Sequence, residues 1–156
     1  MSMQLLARIL LTLAAIATGI QIVQTDRTNP PSDPAGSFEA VVRPSPQAAA
    51  VIRRACQDCH SNQTVWPWYS RVAPISWLVA DDVKEGRAHL NFSEWNRLSP
   101  EVSQRRMSAM CKEVGEGGMP LWQYRVLHSE SKLTASDVSA LCALAPAGQR
   151  LRTASR

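Results

Sequence analysis

The chain has 156 residues, with 17 basic and 13 acidic side chains, a formal net charge of +4 and 45% hydrophobic residues. That length suits one domain and leaves little room for a second. The positive excess is not gathered into a basic run or an aromatic-studded basic stripe, so a nucleic-acid partner has no support.

Residues 9–24, ILLTLAAIATGIQIVQ, are uncharged and largely apolar, with Arg8 on their N-terminal side. The run approaches the roughly 17 to 25 residues that cross a bilayer as a helix, and Leu5, Leu6 and Ala7 lengthen it if Arg8 snorkels to the interface. Residues 1–24 therefore read as a membrane anchor or a signal segment. The anchor is preferred, because Ile20, Ile22 and Val23 continue past the cleavage-like Ala15-Ile16-Ala17. Arg8 then stays in the cytoplasm, placing the rest in the periplasm or outside the cell. A cleaved signal leaves a soluble periplasmic protein.

Residues 24–46 contain five prolines, which remove backbone donors and fix φ, so 25–45 reads as an extended linker at about 3.1 Å per residue, holding a domain off the membrane. The domain is expected over 46–146, followed by a basic tail at 147–156. Ser45-Pro46 opens a helix expected to run to about Cys59. Pro74 opens a second, with Ile75, Leu78, Val79 and Val83 on one face. Ser99-Pro100 opens a third, in which Met107, Met110, Cys111 and Val114 share a face. Thr134 and Asp137 form a capping box, with Leu133 and Val138 as a staple, for a last helix carrying Leu141 and Cys142 and ending at Pro146. No segment alternates apolar and polar residues, so the class is all-α.

The chemistry concentrates at Cys56-Gln57-Asp58-Cys59-His60, the C-x-x-C-H pattern by which c-type haem is attached. Two thiols on one turn can add to the two vinyl groups of one porphyrin edge, and the adjacent imidazole then reaches the iron. A thioredoxin-like dithiol expects a preceding strand, and a structural zinc site expects a second ligand pair; neither is visible. One covalently attached haem c is the expectation, with His60 as one iron ligand. For the second, Met119 stands in a glycine-rich loop, VGEGGMPLWQY, whose Gly115, Gly117 and Gly118 would let backbone pass close to a flat group. His89, His128 or an open site are the alternatives. Trp66, Trp68, Tyr69, Pro74 and Trp77 are expected around the ring, with Trp122 a further candidate wall and Trp95 simply core. A carbonyl within 71–74 is expected to take the free N–H of His60, and Arg71 or Arg87 to pair with the propionates. Cys111 and Cys142 fall on buried faces and read as free apolar thiols, with a disulfide as the alternative.

The stretch CQDCHSNQTVWPWYSRVAPISWLVADDVKEGRAHLNFSEWNRL, followed by GEGGMPLWQYRVLHSESKLTASDV, resembles the bacterial haem-binding domain family, membrane-anchored proteins similar to monohaem class I c-type cytochromes. The likeness covers about residues 20–145. It implies a small cytochrome c-like helical domain around one haem on Cys56 and Cys59, His60 as ligand, and a role in electron transfer or haem sensing. It departs at Gly117-Gly118, where an acidic residue is expected before Met119. The function expected is a membrane-tethered electron carrier between periplasmic redox partners, not an enzyme. The alternative is a haem-based sensor with a labile or open distal position.

Overall fold

The computed structural model describes residues 2–146, and the expected basic tail lies outside them. Among the described residues the secondary structure is all helical, with no strand. The first helix, α1 (Met3–Gly19), is capped by the Ser2 hydroxyl and buries none of its residues. With the short turn that follows, it gives a 20-residue stretch, Met3–Ile22, of mean hydropathy 1.9, apolar and long enough to cross a membrane or act as a signal.

The proline-rich segment was expected to stand free, and it does not. Asn29 Nδ2 donates to the Thr64 carbonyl, Thr25 Oγ1 to that of Ser76, and Asn62 Nδ2 to that of Pro31. Arg87 fastens it further: its guanidinium donates to the carbonyls of Ser61 and Thr28, to Asn29 Oδ1 and to Thr64 Oγ1, at 2.8 to 3.1 Å. Prolines disfavour a long helix or a central strand here but leave carbonyls free to accept, so the first part of the segment becomes a strap.

The core also begins before Pro46. Ser37 caps a short helix, α2 (Phe38–Val42), whose Phe38 is 1% exposed. Its ring meets Phe92 and Trp95 edge-on, with centroids 5.3 and 4.6 Å apart, a favoured aromatic geometry. Trp95 is core as expected, its indole N–H donating to Ser103 Oγ.

Ser45 and Pro46 open α3 (Pro46–Ala55), which ends earlier than the expected Cys59 because Cys56, at φ −128° and ψ −33°, leaves helical geometry. A single further turn, α4 (Gln57–His60), carries the motif. The remaining helices are α5 (Ile75–His89), α6 (Pro100–Gly115), α7 (Trp122–Leu127) and α8 (Ala135–Cys142), and the expected capping box of α8 is present. Arg54 reaches from α3 to Asp137 at 2.7 Å, tying α8 down. The carboxylate of Asp137 is held below its usual range by hydrogen bonds from the Thr134 backbone and hydroxyl, then by Arg54.

Cys111 and Cys142 correct the preferred expectation of free thiols. They form a disulfide joining α6 to α8, with Cα atoms 4.6 Å apart. Both apolar stripes were placed correctly; it is their register, facing each other across one layer, that brings the sulfurs together.

Candidate functional site

A break in the helix is what builds the site. By leaving helical geometry at Cys56, the chain turns α4 against α5 so that Cys56, Cys59 and His60 all line one cavity of about 590 Å³. Volumes of this order suit small-molecule and cofactor pockets. The opposite walls come from Ile75, Leu78 and Val83 of α5, from Met110 and Val114 of α6, and from Met119, Leu121 and Tyr124.

Gly86 makes the close approach possible. A Cβ there would lie 2.5 Å from the Cys59 carbonyl oxygen and 3.2 Å from its Cβ, so α4 and α5 can meet only where this side chain is missing. The approach also places the carbonyls of Gly86 and Leu90 2.9 and 3.0 Å from His60 Nδ1. Carbonyls only accept, so Nδ1 carries the proton and donates to both. This leaves Nε2, which has no hydrogen-bond partner among the described residues, as a free lone pair on a residue that lines the cavity. Burial also lowers the His60 pKa, favouring the neutral imidazole. The acceptors correct the expected carbonyl at 71–74: Ala73 is committed to Gln21 instead.

The two motif cysteines are thiols, not a disulfide. Burial pushes both up to about 12, so they stay protonated. Asp58, between them, is a residue whose role the sequence did not disclose. It accepts from the Val65 backbone N–H at 3.1 Å and from Tyr124 Oη at 2.8 Å, while its carbonyl accepts from Thr64 at 2.6 Å. It thus locks α4 to the loop after it and to α7.

Residues 15–146 match the family described as Haem-binding domain. The chain belongs to the haem-binding domain family. No curated protein and no solved structure matches it.

The residues present fit a haem. The cavity offers apolar walls, two thiols and an unpartnered imidazole nitrogen on one wall, and the thioether residue Met119 on its lining. Met119 is positioned by the end of α6, where Gly117 (φ +76°) and Gly118 donate to the carbonyls of Val114 and Glu113, the paired bonds of a Schellman motif. Gly117 serves that left-handed turn, a conformation that residues with a Cβ rarely adopt.

The other candidates separate clearly. Tyr69 lines the cavity; Trp66, Trp68, Pro74, Trp77 and Trp122 do not. Indole N–H groups seek acceptors; that of Trp66 finds Asn29 Oδ1 in the strap and that of Trp77 the Val23 carbonyl just before it. Trp68 and Trp122 are 77% and 70% exposed, and Pro74 is exposed at the start of α5. His128 is not on the lining, and both its nitrogens are engaged: the Glu130 carboxylate accepts from Nδ1, and Nε2 accepts from the Tyr69 hydroxyl at 2.7 Å. His89 lies on the rim, 75% exposed and paired with Glu85. Arg87 is consumed by the strap and Arg71 is exposed off the cavity, whereas Arg106 of α6 lines it with no ion-pair partner among the described residues. Arg106 was not identified from the sequence; it is the one Lys or Arg on the lining.

Proposed function

We propose that the protein is a membrane-tethered monohaem c-type cytochrome, a carrier of single electrons between periplasmic partners rather than a catalyst. When bound, haem would supply one-electron chemistry at its iron. The chain's part is attachment, orientation and exclusion of water. Cys56 and Cys59, three residues apart at the start of and within α4, would be the attachment thiols, holding the group through two thioethers. His60 Nε2 and Met119 would hold the iron, and Arg106 would pair with a propionate carboxylate.

The observation that carries this reading is the double tether of His60 Nδ1 to the Gly86 and Leu90 carbonyls. A ligand imidazole is ordinarily fixed through its other nitrogen by such an acceptor, which sets both tautomer and ring orientation. A surface histidine has no need of two. The apolar walls from α5 and α6 keep water from the bound group, favouring small reorganisation on electron gain and loss.

Met119→Ala tests the axial assignment. Carbon monoxide binds the reduced wild-type protein slowly or not at all and the variant rapidly, with a changed resting visible spectrum. Identical spectra and identical carbon monoxide binding in the two proteins contradict Met119 ligation and favour the open-site sensor.

A further inference from the structure

The end of α1 is not connected to the haem domain by slack chain. Gln21 lies within the membrane-length stretch Met3–Ile22, yet its side-chain amide donates to the Ala73 carbonyl at 3.1 Å and accepts from the Ala73 N–H at 2.9 Å. Immediately afterwards Trp77 Nε1 donates to the Val23 carbonyl at 2.9 Å, and Thr25 Oγ1 to the Ser76 carbonyl at 3.4 Å. Four hydrogen bonds therefore pin residues 73–77 to the point where the helix leaves the hydrocarbon. Around that point the domain exposes large apolar side chains: Trp68, Val72, Ile75 and Leu78 are 77%, 42%, 47% and 49% exposed. Arg71 is exposed beside them. Clustered apolar surface of this kind marks an interaction site in a soluble setting. Tryptophan and arginine flanking aliphatic side chains are the composition of a membrane–water interface.

We propose that the surface formed by Trp68 and Val72, with Arg71 beside them, rests in the headgroup layer of the bilayer that α1 crosses. The proposal rests on the reading of α1 as a retained membrane span. It is continuous with that span through the Gln21–Ala73 pair, which is why a lipid surface, and not a protein partner, covers it. Ile75 and Leu78 also line the haem cavity.

The test uses the full-length reduced holoprotein with fluorotryptophan at all five positions, in phosphatidylcholine–phosphatidylglycerol bicelles carrying a gadolinium-chelate headgroup lipid. Fluorine resonances are assigned with single Trp→Phe variants. The expected result is relaxation of the Trp68 and Trp77 resonances several times faster than that of Trp95, which is 2% exposed in the core. Trp68 relaxing no faster than Trp95 overturns the proposal and leaves the patch to a protein partner. An intact mass on the same sample separates the two failures. A chain shortened near Ala17 shows that the span reading is wrong and removes the proposal with it; a complete chain with an unrelaxed Trp68 defeats the proposal alone.

Discussion

Gly86 and His60 show how a single residue can decide the chemistry of the cavity. The missing Cβ at Gly86 permits the contact of α4 with α5, and the carbonyl of the same residue fixes His60. Gly86→Ala forces α5 away from the Cys59 carbonyl, at an overpacking cost of about 1–3 kcal/mol. It also stretches the Nδ1 hydrogen bond. The expected outcome is a lower urea midpoint for the reduced holoprotein together with a shifted visible spectrum; an unchanged midpoint shows that the helices do not depend on this contact. The motif and its ligand histidine were legible because their chemistry depends on local spacing. The acceptors lie 26 and 30 residues downstream, so no local pattern disclosed them. The tryptophans show the same limit: nearness in sequence to Cys59 does not disclose where an indole N–H finds its acceptor, which is Asn29 Oδ1 in the strap for Trp66 and the Val23 carbonyl before it for Trp77.

Among the elements, those with local punctuation were read well. Ser45-Pro46, Ser99-Pro100 and the Thr134–Asp137 box each start a helix where expected, since capping satisfies backbone donors within one turn. The helix α2 was missed because its five residues have no period to display, and the strap because proline density signals what a segment cannot form rather than what it packs on. The stripes of α6 and α8 were legible, but their mutual register is a property of packing, and with it the Cys111–Cys142 bond. That bond closes a loop of sequence separation 31, and loops of this size are stabilised by about 3–4 kcal/mol through restriction of the unfolded chain. Replacing both cysteines by alanine therefore lowers the urea midpoint by that equivalent while leaving the haem spectrum in place. A spectrum lost at low urea would instead mean that the α6–α8 layer is needed to hold the haem.

Across the whole molecule, membrane stretch, strap and haem domain form one connected object. The aromatic core of Phe38, Phe92 and Trp95 sits against α3 and α6, and the strap runs over the loop that follows the motif. The reading of this protein as an exported carrier depends on haem being attached through both sulfurs of α4 beside an imidazole held for iron. The mass of the full-length protein after acid denaturation tests that most directly. The account predicts a chain heavier by one haem, with the added mass on a single peptide containing Cys56 and Cys59 and lost when both are replaced by alanine. A denatured chain at the bare polypeptide mass, its pigment extracted by acid and acetone, contradicts it.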